Sequence, residues 1–183
     1  MKKFSTAAVI LCTALFFTVT WTASADTSSG ENSPITIVFS HDMHSHLEKF
    51  PKIRTVVKQG KQNNDATFVL DGGDFSMGTP YQAIFKKEAS ELRLMGAAGF
   101  DVTTLGNHEF DYRSAGLTAM LNRAASVSAK SKTKLPQMVI ANIDWESTLA
   151  DPELKADGEK LRQALENYGD VYKRQGERGH QFL

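Results

Sequence analysis

Short apolar runs, rich in β-branched residues, alternate along this chain with longer stretches of helical period. The runs cover residues 35–39, 66–70, 101–105 and 137–141. Strands that alternate with helices predict a mainly parallel sheet, because parallel neighbours need a long crossover connection. In such a sheet the carboxyl ends of the strands share one edge, and ligands bind outside that edge. The sequence therefore predicts an α/β domain whose functional site lies there.

The stretches between the runs differ in how clearly they predict helices. The first predicted helix begins near Pro51 and ends where Gly60 interrupts its apolar face. The second covers residues 81–96, and the third begins near Ser114. Residues 144–160 are acidic and without clear period, which predicts an irregular surface segment.

Three predicted strands end in turns that carry many potential metal ligands. These turns read HDMH at 41–44, DGGD at 71–74 and GNHEFD at 106–111. Asp42 and His44, two residues apart, can hold one cation through a carboxylate oxygen and an imidazole nitrogen. Asp74 can bridge two cations, as carboxylates do in two-metal hydrolytic sites, and Asn107 can give the second cation an amide oxygen. Two divalent ions outweigh two carboxylates, so the predicted site attracts anions such as phosphate esters.

The segments HDMHSHLE, GGDFSMGTP and GNHEFD closely resemble the first three metal-binding motifs of the calcineurin-like metallophosphoesterases. Within them, the match is to the exported bacterial 5′-nucleotidase and 2′,3′-cyclic-nucleotide phosphodiesterase family, over residues 35–142. The resemblance implies an α/β/β/α sandwich and a phosphoric ester hydrolase with two divalent metal ions, acting on nucleotides. It also implies that His108 is the catalytic histidine and that Asp111 orients it. Ligands of these types suit Mn, Zn, Fe or Co, so the metal stays open.

The chain departs from this family in two ways. His41 stands where many members carry asparagine, and His46 is an additional imidazole; both are expected to lie outside the metal ligands. Glu109 and Asp71 are expected to be structural, with Asp71 bonded to its own glycine-rich turn. The family completes its site with downstream histidines and a separate nucleoside-binding domain, whereas His180 is the only histidine after His108.

Because the downstream histidines and the nucleoside-binding domain are missing, we expect residues 35–183 to be the N-terminal half of a catalytic domain. This half is expected to be inactive in isolation. Residues 170–183 are predicted to be a non-native tail, because the polar stretch 170–175 fits no element. Two other functions stay open: hydrolysis of other phosphate esters, and a non-catalytic exported protein that binds its ligand. Downstream sequence would separate these alternatives.

Residues 1–25 predict a secretory signal peptide. Lys2 and Lys3 precede an apolar core over residues 7–19, and Ala-Ser-Ala at 23–25 forms a cleavage site. The alternative, a membrane anchor, needs about 20 apolar residues. Residues 26–34 predict a flexible leader, with order from Ile35 onward. We therefore expect an exported chain without a membrane span after cleavage.

Charge and cysteine content limit the partners. The sequence holds 21 basic and 21 acidic residues, and loss of the two leader lysines leaves 19 basic against 21 acidic. A chain near charge balance predicts no nucleic acid polymer as partner, and a small phosphate ester remains the expected ligand. Cys12, the single cysteine, lies in the predicted signal peptide, so the mature chain would have no disulfide. The sequence carries no signal for an oligomeric state.

Overall fold

The computed structural model describes residues 19–23, 34–169 and 171–173. The strands in these ranges are β1 Val19–Ala23, β2 Ile35–Ser40, β3 Thr67–Asp71, β4 Val102–Thr103, β5 Gln137–Ile140 and β6 Val171–Lys173. The α-helices are α1 Phe50–Asn63, α2 Phe85–Glu88, α3 Ser90–Ala98, α4 Arg113–Ser131, α5 Trp145–Ala150 and α6 Lys155–Tyr168. Short 3₁₀ turns cover Leu47–Lys49, Pro80–Ile84 and His108–Phe110.

All six strands form one sheet, in the same order as they occur in the sequence. β1 pairs antiparallel with β2, and every later pair is parallel. The prediction of a mainly parallel α/β fold is therefore confirmed. The register pairs Ser40 with Asp71 and Leu70 with Val102, so the carboxyl ends of β2, β3 and β4 meet at one edge.

Side chains of the sheet alternate between a buried and an exposed face. Val38, Val69 and Met138 are buried in one core with apolar residues from the helices, including Val57, Leu92, Met95, Leu117, Leu121 and Leu165. The neighbouring positions face the other way, and Phe68 is 50% exposed and Val139 37% exposed. The described helices therefore bury one face of the sheet and leave apolar side chains on the other in contact with solvent.

Two predicted helix boundaries were wrong. α1 does not end at Gly60 but continues to Asn63. The Gly60 carbonyl accepts a hydrogen bond from the Thr67 hydroxyl at 3.0 Å, and a Cβ at residue 60 would lie 3.2 Å from Thr67 Cγ2; glycine lets α1 approach β3. The predicted helix over 81–96 is divided at buried Ala89, whose φ of 47° ends α2 before α3 begins.

The predictions for the C-terminal third also need correction. Residues 144–160 are not irregular, because they contain α5 and the first half of α6. Asp144 caps α5 by accepting the Ser147 N–H at 3.0 Å, and α6 buries Leu161, Ala164 and Leu165. The stretch 170–175 was predicted to fit no element, yet Val171–Lys173 forms β6 beside β5. The non-native origin of residues 170–183 stays a prediction.

The predicted signal peptide, residues 1–25, overlaps the first strand. β1 pairs with β2 from Val19↔Phe39 to Ala23↔Ile35, so residues 19–23 of the predicted signal peptide form a strand. Residues 26–33 of the predicted flexible leader lie outside the described residues. Cleavage after Ala25 would remove β1 and leave β2 at the edge of the sheet. The rest of the predicted signal peptide, residues 1–18 and 24–25, lies outside the described residues. Among the helices of the described ranges, none combines the length and apolarity needed to cross a bilayer.

Candidate metal centre

Backbone hydrogen bonds join the first two polar turns beyond the ends of β2 and β3. The Asp42 N–H donates to the Gly73 carbonyl at 3.0 Å, and the His44 N–H donates to the Asp74 carbonyl at 3.1 Å. Asp42, His44 and Asp74 all have left-handed backbone, with φ of 52°, 46° and 51°. This conformation is uncommon outside glycine and concentrates at functional sites. The turns are therefore fixed in a conformation that presents their side chains at the sheet edge.

Asp42 lies among imidazole groups. Its Oδ2 is 2.8 Å from His41 Nδ1, and its Oδ1 is 3.9 Å from His44 Nε2. The hydrogen bond with His41 lowers the pKa of Asp42, with smaller contributions from His44 and Asp74. His46 points to Glu48, with Nδ1 to Oε1 at 3.0 Å. Asp42 thus stays ionised at neutral pH beside His44, while His46 contacts a different carboxylate.

Asp74 joins the second turn to the third. Its Oδ1 accepts the backbone N–H of His108 at 2.9 Å. The side-chain amide of Asn107 lies beside Oδ2. With its nitrogen towards Asp74, it donates to Oδ2 at 3.2 Å, and its oxygen accepts the His108 N–H at 3.3 Å. Carboxylate and amide oxygens are donor types that fit a divalent ion held by Asp74 and Asn107.

The third turn places an imidazole beside the candidate ligands. His108 Nδ1 lies 2.9 Å from Asp111 Oδ2, and this hydrogen bond raises the pKa of His108. The His108 and His44 rings meet edge to face, with centroids 4.9 Å apart. Asp111 therefore orients the ring of His108 through Nδ1, and Nε2 lies on the opposite side of the ring.

Every predicted site residue thus lies at one sheet edge, in a chain of neighbours from Asp42 through His44, His108 and Asn107 to Asp74. Within the part of the chain that the structure describes, no three His, Cys, Asp or Glu side chains form a complete ligand cluster. The predicted set depends on the amide of Asn107 and accounts for part of a two-metal coordination sphere. The roles of these residues as ligands and catalyst remain predictions.

Buried carboxylates lie beneath the site. Asp71 accepts the Ser40 hydroxyl and the Thr103 hydroxyl, each at 2.8 Å, and the Gly73 N–H at 3.0 Å. It thus joins the ends of β2, β3 and β4, and the predicted bond to its own turn is present. Burial raises the pKa of Asp71 to about 6. Because these donors are all internal, Asp71 acts on the strand ends and not on a ligand.

Glu109 is fully buried and bonds two different turns. Its carboxylate accepts from the Gly106, Asp74 and Ser76 backbones and from the Ser76 hydroxyl, at 2.7 to 3.1 Å. The expected structural role agrees with these contacts. A second buried carboxylate, Glu91, accepts the Ser45 hydroxyl at 2.7 Å. Sequence reasoning missed Glu91, although a charged residue beside apolar Leu92 and Met95 at the start of a helix was a visible signal.

Comparisons with known proteins identify the family of this chain. The profile of the calcineurin-like phosphoesterase family matches residues 35–173. A probable 5′-nucleotidase of Treponema pallidum is 31% identical over 140 residues, covering 67% of this chain and 23% of that protein. A human 5′-nucleotidase is 30% identical over 122 residues, covering 56% and 21%. The chain thus spans about a quarter of the length of these relatives.

Among solved structures, the NAD nucleotidase NadN of Haemophilus influenzae is similar with a TM-score of 0.45 and 28% identity, over 49% of this chain and 19% of that one. The family profile covers the three polar turns and all the strands from β2 to β6. This chain belongs to the calcineurin-like phosphoesterase family.

Proposed function

We propose that this chain forms part of the active site of a metal-dependent phosphoric ester hydrolase that acts on nucleotides. The observation that carries the proposal is the convergence of the three polar turns at the candidate ligands. The Asp42 and His44 N–H groups donate to the second turn, and the His108 N–H donates to Asp74. A non-catalytic binding protein needs no imidazole held by a carboxylate beside an anion site. His108 and Asp111 therefore favour catalysis.

In this proposal Asp42 and His44 would hold one divalent ion, Asn107 would hold a second, and Asp74 would be a ligand of both. When bound, such ions neutralise phosphate oxygens and lower the pKa of a water molecule at the site. The metal is Mn, Zn, Fe or Co, since oxygen and imidazole donors accept all four. The carboxylates that hold the turns from beneath, Asp71 and Glu109, keep the ligands in place before substrate arrives.

His108 supplies the proton chemistry in this proposal. Its Nδ1 is engaged by Asp111, so Nε2 is the atom available to the phosphate ester. The hydrogen bond with Asp111 raises the pKa of His108, and in its protonated form the ring can donate to a leaving oxygen or to a phosphoryl oxygen in the transition state. Asp111 both orients the ring and stabilises its positive charge.

The nucleotide assignment is supported by the two relatives, which are named as 5′-nucleotidases. The chain spans less than a quarter of their length, so the nucleotide assignment is proposed for the protein as a whole. The 183 residues alone are expected to be nearly inactive, because the proposed ligands fill only part of a two-metal site.

A substrate comparison tests this proposal. The full-length protein, loaded with Mn²⁺, should hydrolyse a nucleoside 5′-monophosphate with kcat/KM at least about tenfold above that for a simple aryl phosphate, which lacks the nucleoside contacts. A chelator should abolish both activities. Equal kcat/KM for the two esters would favour a phosphoesterase of other specificity, and no hydrolysis of either would favour the binding protein.

We also infer export, from the order of the charged, apolar and small-residue segments in residues 1–25. Exported material should begin at Asp26 when its N-terminal sequence is determined. Without cleavage, β1 would remain paired with β2. A membrane-bound product that begins at Met1 would contradict the inference and restore the anchor alternative.

A further inference from the structure

Glu109 contacts the backbone of a candidate ligand and of the neighbouring turn at the same time. Its Oε2 accepts the Gly106 N–H at 2.7 Å and the Asp74 N–H at 3.1 Å. Its Oε1 accepts the Ser76 N–H at 3.0 Å and the Ser76 hydroxyl at 2.7 Å. The side chain has no exposed surface. One buried carboxylate therefore connects the turn that carries Asp74 with the turn that carries Asn107.

The number of donors defines what can occupy this position. A carboxylate has about four acceptor sites on its two oxygens, and four donors use all of them. A glutamine of the same shape would replace one oxygen with an NH₂ group. That group would face the Gly106 and Asp74 N–H donors in one orientation and the Ser76 N–H in the other. Buried donors that lose their acceptor are costly, so the two turns would have to separate.

The space between the turns leaves little tolerance for such movement. A Cβ at Gly106 would overlap the Asp74 carboxylate, so the third turn lies directly against the candidate bridging ligand. Asp74 Oδ1 also accepts the His108 N–H at 2.9 Å. A shift of the Gly106 backbone therefore moves the carboxylate of Asp74 relative to the amide of Asn107.

We propose that Glu109 is a positioning residue of the metal centre, which sets the separation of the Asp74 and Asn107 ligand groups by holding the backbones of their two turns. This inference rests on the proposed metal centre. Residues that hold metal ligands from behind change metal affinity by about 10- to 100-fold when they are replaced. Glu109→Gln should weaken Mn²⁺ binding by a factor in that range.

Glu91 provides a matched control in the same chain. It is also buried, at 1% exposure, but it accepts one hydrogen bond, from the Ser45 hydroxyl, and its Oε2 has no partner within the described residues. Glu91→Gln can keep the Ser45 bond and place its NH₂ group where no donor opposes it. The two substitutions remove the same charge from similarly buried sites. Glu109 accepts from the backbones of Gly106 and Asp74, whereas Glu91 accepts only from the side chain of Ser45.

The test is the Mn²⁺ dissociation constant of the full-length protein, from the electron paramagnetic resonance signal of free Mn²⁺, with folding checked by circular dichroism. We expect a 10- to 100-fold increase for Glu109→Gln and a change within about threefold for Glu91→Gln. Glu109→Asp, which keeps the charge but is one methylene too short to reach all four donors, should also bind more weakly, and Glu91→Asp should not.

Several results would overturn the inference. Folded Glu109 variants that bind Mn²⁺ as tightly as the wild type would overturn it. Glu91 variants that weaken Mn²⁺ binding as much as the Glu109 variants would also overturn it. Failure of both Glu109 variants to fold, beside folded Glu91 variants, would assign Glu109 to folding alone. A wild-type chain that binds no Mn²⁺ would instead remove the proposed metal centre, and this inference with it.

Discussion

Asp74→Ala should weaken Mn²⁺ binding by more than about 100-fold, which exceeds the effect expected of residues that only hold ligands in place. In the proposed arrangement this carboxylate touches both ions, so its loss removes a ligand from each. It also removes the negative charge that offsets the repulsion of two like ions a few ångströms apart. Turnover of the full-length protein should fall to the chelator-treated level.

A matched substitution separates this effect from a general change in charge. Asp65 is an exposed aspartate just before β3, at the opposite edge of the sheet from Asp74. Asp65→Ala should leave the Mn²⁺ dissociation constant unchanged. If Asp74→Ala retained two ions per chain in equilibrium dialysis, Asp74 would not be a bridging ligand and the proposed division of the site would be wrong.

His108→Ala should lower kcat of the full-length protein by about 10² to 10⁴, the usual contribution of a positioned acid, base or transition-state donor. Both ions should remain bound, because the proposed ligands do not include His108. Steady-state rates together with metal content distinguish this outcome from that of Asp74→Ala. Loss of one ion in His108→Ala would make His108 a ligand and would contradict its assignment as the proton donor.

Asp111→Asn completes a double-mutant cycle with this change. Because Asp111 contacts His108 Nδ1 at 2.9 Å, it should act through that ring. The double variant should therefore be hardly slower than His108→Ala alone, as expected for residues that act as a unit. Additive losses in the double variant would show that Asp111 has a separate role.

Local features of the sequence were sufficient to predict the frame of the site. Each strand from β2 to β5 lies within or overlaps a short apolar run of the sequence, and each polar turn directly follows such a run. Neither inference needs knowledge of distant contacts. The sheet order then brings the turns together, because consecutive parallel strands place their carboxyl ends at one edge.

Features that depend on distant contacts could not be predicted in the same way. Glu109 meets Asp74 across 35 residues, and Glu91 meets Ser45 across 46; nothing beside Glu91 in the sequence identifies its partner. Ala89 gives no sign of left-handed backbone, since alanine is an ordinary helix former. α6 was missed because its buried stripe of Leu161, Ala164, Leu165 and Tyr168 is narrow among charged residues.

The central claim is that the three polar turns form a single metal centre, and paramagnetic broadening of backbone amide signals by substoichiometric Mn²⁺ tests it most directly. In the wild-type chain, the amides of Asp42, Asp74 and Asn107 should broaden together, whereas that of Asn64, at the opposite edge of the sheet, should stay sharp. In Asp74→Ala all of these signals should stay sharp at the same Mn²⁺ concentration. Broadening confined to one turn, or centred on carboxylates elsewhere in the chain, would contradict a shared metal centre.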